Sequence, residues 1–304
     1  MSEISKKPVV SVLLSTYNGH KYIKELVDSV LNQEGVDVIL QVRDDGSNDD
    51  TIEILKNYND SRIIINKGTN LGPAKSFLTL LNECQDSDYY AYCDQDDVWY
   101  SNKLITAINE IKSFNSPTLF ISTYDVVDEN LNKLMKFDMN FTRPLRLQET
   151  LIYRAPSACN MVFNHSLKQL ISKTVPDSAR MHDFWTLLVA EVHNCNIITK
   201  DVALIQYRQH AGESVGITPS ASTRLKRLVK SLRHGNNERW RQAKELYDIY
   251  FNDIPNENKR ILKEMIDYRD SFKNKLILFK DKQFVTSNTY IDLLFKFSVL
   301  IGKF

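Results

Sequence analysis

Two acidic clusters, each closing an apolar run, are the residues of this chain best suited to chemistry. Asp94-Gln95-Asp96-Asp97 follows the run YYAYC, and Asp44-Asp45-Gly46-Ser47 follows Val38 to Val42. In extended chain Asp94 and Asp96 project to the same side, where their mutual repulsion calls for a cation. Hard divalent ions such as Mg²⁺ and Mn²⁺ select carboxylate oxygen, and Mg²⁺ is commonly held by one or two carboxylates together with substrate phosphates. A diphosphate-bearing substrate fits that pattern, and a solvated acidic turn is the plain alternative. Asp44 or Asp45 can accept a hydrogen bond from a ring N–H or a ribose hydroxyl, because an ionised carboxylate only accepts. Either can instead cap the helix that follows. The chain has no GxGxxG after its first strand and no GxxxxGK[ST], which disfavours dinucleotide oxidoreductases and P-loop NTPases. A nucleotide held by its base, its ribose and a metal on its diphosphate remains.

The elements that must position these clusters alternate in type. Val9 to Leu14 (VVSVLL) reads as a strand buried on both faces. Lys21 to Leu31 carries apolar residues at helical spacing, and Val38 to Val42 returns to strand character. A helix is expected over Thr51 to Tyr58, a strand over Ile63 to Ile65, a helix over Ala74 to Leu81 and a strand over Tyr89 to Cys93. Such alternation specifies an α/β domain with a mostly parallel sheet. Ligands of such sheets sit outside the carboxyl ends of the strands. The polar clusters fall there: Thr16 to Gly19, Asp44 to Ser47, Asn66 to Gly72 and Asp94 to Asp97. Residues 115 to 215 are less regular, with a strand at Leu119 to Tyr124 and a helix at Asp183 to Val192. Ile217 to Thr223 reads as a linker, with helices beyond it.

Length and composition bound the class. The 304 residues are 42% hydrophobic and 25% charged, enough for a sizeable core and free of low-complexity bias. Cys84, Cys93, Cys159 and Cys195 form no CxxC pair, which favours a reducing compartment. The formal charge of +1 conceals a split. Residues 221 to 304 hold 18 Lys+Arg against 10 Asp+Glu, whereas residues 1 to 220 hold 21 against 28. Two regions are therefore expected, 1–220 and 221–304. Arg224 to Arg233 has five cations and no acid, with Leu225, Leu228, Val229 and Leu232 on one helical face. Such a helix either lies in the headgroup layer of an anionic membrane or packs on the catalytic domain. Tyr290 to Phe304 is strongly apolar but too short to span a bilayer, and suits interfacial anchoring or an oligomer contact.

In order along the chain, VSVLLSTYNG, RDDGSNDDT, NLGPAKSF, YCDQDDVW, MHDFW and YRQH resemble the family 2 glycosyltransferases of GT-A fold, nearest to bacterial rhamnosyltransferase-like members, over about residues 8 to 215. The resemblance implies inverting transfer of a sugar from a nucleotide diphosphate donor to an acceptor hydroxyl. It places Thr16, Tyr17, Asn18 and Asn70 along the nucleotide and has Asp45, with Asp44 beside it, read the pyrimidine. It turns Asp94, Asp96 and Asp97 toward ribose, metal and diphosphate, the metal being Mg²⁺ or Mn²⁺ held by Asp96, Asp97 and His210. Asp183 becomes the general base, with helix capping as its alternative. Arg208 is a candidate phosphate partner. Trp99 and Trp185 are candidates to stack on a sugar, against the plainer role of packing mass. After His210 many relatives read Gly-x-Asn where this chain reads Ala211-Gly212-Glu213. The QxxRW signature of processive synthases is missing, which favours transfer of single sugars.

The resemblance also implies a dTDP-L-rhamnose or UDP-sugar donor and a glycan or lipid-linked acceptor of a bacterial surface polysaccharide. The expected location is cytoplasmic, at the inner face of the cell membrane, with a homo-oligomer compatible and nucleic acid not expected. Two other classes compete. A sugar-1-phosphate nucleotidyltransferase would require a glycine-rich basic loop after the first strand, which Ser15-Thr16-Tyr17-Asn18-Gly19 does not supply. A catalytically silent membrane-docked scaffold would show no donor-dependent turnover.

Overall fold

The computed structural model describes residues 6–137, 144–152, 158–209, 238–286 and 288–304. His210, the linker Ile217 to Thr223 and the basic stretch Arg224 to Arg233 lie outside the described residues.

Apolar runs bounded by polar stops become the strands that were expected. β1 (Val9–Thr16) pairs in parallel with β2 (Asp37–Asp44) on one side and β4 (Tyr89–Cys93) on the other, and β2 pairs with β3 (Ile63–Lys67). The sheet order is β3-β2-β1-β4-β8-β6-β9-β5, with β7 (Lys133–Lys136) beside β6. β8 (Met161–Asn164) runs antiparallel between β4 and β6 (Thr118–Val127). β9 (Asn196–Arg208) is parallel to β6, and the two-residue β5 (Val98–Trp99) is antiparallel to β9. Strand order reverses around β1, so the loops after β1 and β4 flank the crevice where such sheets bind ligands.

Alternation along β1 sends side chains to two cores. Val10, Val12 and Leu14 join the helices α1 (Ile23–Leu31), α2 (Thr51–Asn57) and α4 (Lys103–Ile111). Leu13 faces α3 (Pro73–Glu83), α5 (Leu147–Ile152), α6 (His165–Ile171) and α7 (His182–Val192). The second core continues without a break into α8 (Glu238–Tyr250), α9 (Asn256–Asp267), α10 (Phe272–Lys280) and α11 (Thr289–Leu300), through Leu246, Tyr250, Leu262 and Phe295. Every residue of α7 is buried. Its last carbonyls, which have no partner within the helix, are capped from α9, where Asn258 Nδ2 donates to Val192 O at 2.9 Å. Among the described residues no helix is long and apolar enough to cross a membrane.

Candidate active site

The four strand-end loops are tied to one another by hydrogen bonds between segments remote in sequence. Asn18, left-handed at φ 51°, donates its N–H to Ser47 Oγ at 2.9 Å and accepts the Asn48 N–H on Oδ1 at 2.9 Å. Asparagine tolerates that backbone region better than most residues. The loop after β1 is thus locked to the loop after β2. Asp44 accepts the Ser47 N–H at 3.2 Å, closing the turn.

Asp45 reaches the third loop. It is 3% exposed and accepts the N–H groups of Leu71 at 3.0 Å and Gly72 at 2.9 Å, with Arg43 Nη2 at 3.3 Å. Gly72 sits at φ 77°, the left-handed region open to glycine, and Pro73 then opens α3. The Asp45 carboxylate thus braces the third loop, a task that the sequence reading did not give it beside the pyrimidine-reading role. Asn70 stays at the exposed surface of that loop and accepts the Gly72 N–H at 3.1 Å.

The acidic segment departs from the extended chain expected of it. Gln95 and Asp96 form a turn, so Asp94 and Asp96 do not share a strand face. The turn instead places donor atoms of Asp94, Asp97 and Cys159 within 4.8 Å of one another. Burial and the nearby Asp96 and Asp183 charges push the Asp94 carboxyl up to about 7. Asp97 is 1% exposed and is held well above the carboxylate range by burial and by Asp94 and Asp96. A hard divalent ion would relieve this repulsion, and the Asp94 and Asp97 carboxylates, with the Asp96 charge beside them, suit one. The Cys159 thiol is a soft donor, and it hydrogen-bonds to Asp97.

Asp183 comes to this cluster through α7. Tyr92, two residues before Asp94, pairs its hydroxyl with Thr186 Oγ1 at 2.9 Å and sets its ring edge-on to His182 at 4.6 Å. Asp183 is 7% exposed in the first turn of α7, where the helix dipole favours a carboxylate, and its Oδ1 accepts the Phe184 N–H at 2.6 Å. His182 is wholly buried, stacked on Phe77 at 3.8 Å, and neither ring nitrogen has a hydrogen-bond partner among the described residues. Burial takes its pKa down to about 3.

Three further expectations are corrected. Arg208 is 2% exposed. Its Nε donates to Asp96 O at 2.9 Å, its Nη1 to Glu129 O at 2.6 Å, and its Nη2 pairs with Glu25, so it shapes the acidic turn from beneath and is not open to a phosphate. Trp185 is fully buried in the core and Trp99 is 3% exposed, so neither ring face can meet a sugar. Packing mass prevails at both.

Two residues that the sequence did not mark are central. Gln95 Oε1 accepts from Thr16 Oγ1 at 2.7 Å and from the Tyr17 N–H at 2.9 Å, while its Nε2 donates to Tyr17 O at 3.2 Å. One amide side chain therefore clamps the acidic turn to the loop after β1. Its place between two acids was the available signal, since an amide can donate and accept at once where the ionised carboxylates beside it only accept. Lys103 is 1% exposed, donates from Nζ to Cys159 O at 2.7 Å and lies over the Trp99 ring, with burial lowering its pKa to about 7. Nothing in the spacing of Lys103 pointed to it.

A cavity of about 510 Å³ lies elsewhere, lined by Tyr247, Phe251, Lys259 and Ile277 among others, and takes no residue from the strand-end loops.

Comparison with known proteins agrees with this architecture. The chain is 27% identical over 232 residues to a dTDP-rhamnosyl transferase RfbG of Shigella flexneri, covering 71% of this chain and 78% of the relative. It is 30% identical over 236 residues to an uncharacterized glycosyltransferase of Haemophilus influenzae, covering 69% and 68%. Its fold is similar to that of S. aureus TarS 1-349 in complex with UDP-GlcNAc, with a TM-score of 0.57, 17% identity and coverage of 96% and 90%. It is also similar to the mannosyltransferase PcManGT of Pyrobaculum calidifontis in complex with GDP-Man and Mn²⁺, with a TM-score of 0.57, 16% identity and coverage of 98% and 81%. Residues 11–171, more than half of the chain, match Glycosyl transferase family 2, and the protein belongs to that family as a glycosyltransferase of GT-A fold, similar to rhamnosyltransferases.

Proposed function

We propose that this chain transfers one sugar, with inversion, from a nucleoside diphosphate donor to a hydroxyl of a growing bacterial surface glycan carried on a lipid at the cytoplasmic face of the membrane. The observation that carries the reading is the docking of α7 on β4 through the Tyr92 and Thr186 hydroxyls, which brings Asp183 to the side of the acidic turn that follows β4. The donor nucleotide lies along Thr16, Tyr17 and Asn18, with Asp44 and Asn70 beside it. The diphosphate faces Asp94 and Asp96. Likeness to a dTDP-rhamnosyl transferase favours dTDP-L-rhamnose as donor, and complexes of the fold neighbours with UDP-GlcNAc and with GDP-Man and Mn²⁺ favour a nucleotide sugar in general. Residues 1–220 carry the transfer and 221–304 the contact with the acceptor's surroundings.

Each residue has a definite task. Asp183 takes the proton of the acceptor hydroxyl as that oxygen bonds to the anomeric carbon, while the bond from that carbon to the diphosphate oxygen breaks with its electron pair. Attack opposite the leaving group inverts the centre through an oxocarbenium-like transition state, as in glycoside hydrolysis. A Mg²⁺ or Mn²⁺ ion at Asp94, Asp96 and Asp97 supplies positive charge for the leaving diphosphate when bound. Gln95 keeps the base-binding loop in register with that turn.

The test is a screen of nucleotide sugars for metal-dependent release of nucleoside diphosphate. Asp183→Asn is expected to lose turnover and keep donor binding, and Asp96→Asn to weaken the metal-dependent part of binding. Turnover indifferent to both substitutions would overturn the assignment.

A further inference from the structure

Helix α11 is apolar around nearly its whole circumference, yet only one side of it is covered. Phe295 and Val299 are 2% and 0% exposed, packed into the core shared with the sheet. Tyr290, Leu293, Phe297 and Ile301 are 59%, 68%, 52% and 41% exposed. At the helical repeat these four fall within an arc of about 80° and form a stripe about 16 Å long. Single exposed apolar side chains are ordinary, whereas a continuous stripe of large ones marks a surface that meets a partner. Phe272, at the start of the neighbouring α10, is a further large apolar side chain open to solvent at 68%. The two helices run antiparallel, with Lys275 Nζ near Leu300 O at 3.4 Å and Lys296 Nζ 5.8 Å from the centre of the Phe279 ring.

The charge around the stripe identifies the partner. Between residues 272 and 304 the sequence has six lysines and two aspartates. None of the six lysines is ion-paired among the described residues. Asp281 is engaged with Arg260 at 3.6 Å, and Asp292 accepts the Thr286 N–H at 2.6 Å. A second copy would press this cationic face against itself. An anionic bilayer surface offers what the stripe lacks: apolar depth for the four side chains and negative headgroups for lysines, whose long stems let the ammonium reach the headgroup level.

We propose that α11, with the start of α10, is a membrane-docking surface that lies in the headgroup layer of an anionic bilayer without crossing it. The inference extends the reading of a lipid-borne acceptor by naming the surface that brings the enzyme to it. The experiment is co-sedimentation of the full chain with vesicles of phosphatidylcholine alone, or mixed in equal parts with phosphatidylglycerol, at low and high salt. Wild type is expected to bind the anionic vesicles at least ~10-fold more tightly than the neutral ones, and less so at high salt. Combining Leu293→Ser with Phe297→Ser should lower that binding by roughly 10-fold or more. Combining Lys273→Glu with Lys280→Glu should lower it by about 5-fold per lysine at low salt and flatten the salt dependence. These side chains are open to solvent, so thermal unfolding and release of nucleoside diphosphate from a soluble donor should stay at wild-type values. That release reports on the transfer reading independently of the vesicles. Equal partitioning of wild type with both vesicle types, or anionic binding that both double variants retain, overturns the proposal. So does a solution dimer that the serine variant converts to monomer while vesicle binding is absent.

Discussion

The strand-end loops are held to one another chiefly by directional hydrogen bonds, the C-terminal helices to the rest of the molecule chiefly by a shared apolar core. The loops are crossed by polar side chains bonded to groups in other segments: Asp45 on the Leu71 and Gly72 N–H groups, half-buried Gln95 on the Thr16 hydroxyl and the Tyr17 backbone, Arg208 on the Asp96 and Glu129 carbonyls. Directional bonds of this kind fix positions tightly and lose much when one partner goes. The helices α8 to α11 share one continuous apolar core with the sheet, with polar ties such as Asn258 on Val192 O and Arg239 on Thr150 O at its edge, and one face of α11 is left uncovered. The proposed transfer chemistry, which needs fixed geometry, draws on the first region, and the proposed membrane docking, which needs area and charge, draws on the second.

Substitutions should separate the two regimes. The largest effect is expected at Asp183→Asn, with a loss of about 10²–10⁴-fold in kcat at nearly unchanged donor affinity, measured by coupled nucleoside diphosphate release and by calorimetric titration. A comparable loss of donor affinity would place Asp183 in binding. Next is Asp45→Ala, which takes the acceptor from the Leu71 and Gly72 N–H groups and the counter-charge from Arg43, 7% exposed, whose Nη2 keeps only its bond to Thr69 O among those it makes here. A destabilisation of about 3–5 kcal/mol is expected from denaturant unfolding, and a change typical of a surface site would refute the bracing role.

His182 tests the packing of α7 against α3 and β4. Its folded pKa, about 3, lies below the ordinary 6.5 because burial disfavours the charged ring. The unfolded chain therefore binds the extra proton between those values. The stabilising effect is complete above 6.5 and is lost progressively as pH falls toward 3. Across that window His182→Phe should reduce the pH slope of unfolding free energy by about 1.4 kcal/mol per pH unit. An unchanged slope would mean that the ring is not buried neutral.

Smaller again is Gln95→Ala, expected to weaken donor binding by about 10-fold through loss of the clamp. Gln95→Glu keeps the oxygen that accepts from Thr16 and Tyr17 and should recover part of that loss. Equal behaviour of the two variants would deny Gln95 a positioning role. The smallest effect belongs to Leu293→Ser, which should change stability by less than about 0.5 kcal/mol while reducing vesicle binding.

Much of this arrangement was legible in the chain. The runs at Val9, Asp37, Ile63 and Tyr89 are short, apolar and sharply ended by polar residues, so the four parallel strands and the direction of their loops could be read directly. β5 has two residues, and the exposure of β9 alternates poorly, so neither announces itself and Arg208 could not be placed under the acidic turn. Trp99 and Trp185 looked available because each follows an acid, a nearness along the chain that says nothing about which way a ring faces.

By itself the sequence determined which chemical groups end each strand, because hydrophobic patterning dictates where strands stop and polar loops begin. Only the tertiary structure decided what those groups do. A carboxylate can brace a loop, grip a cation or take a proton, and the choice depends on which N–H or charge lies within about 3 Å. For Asp45 those donors are 26 and 27 residues away, and for Asp94 the neighbouring Asp183 charge arrives on a helix from another part of the chain. Distances between remote segments are set by packing, and no local spacing encodes them.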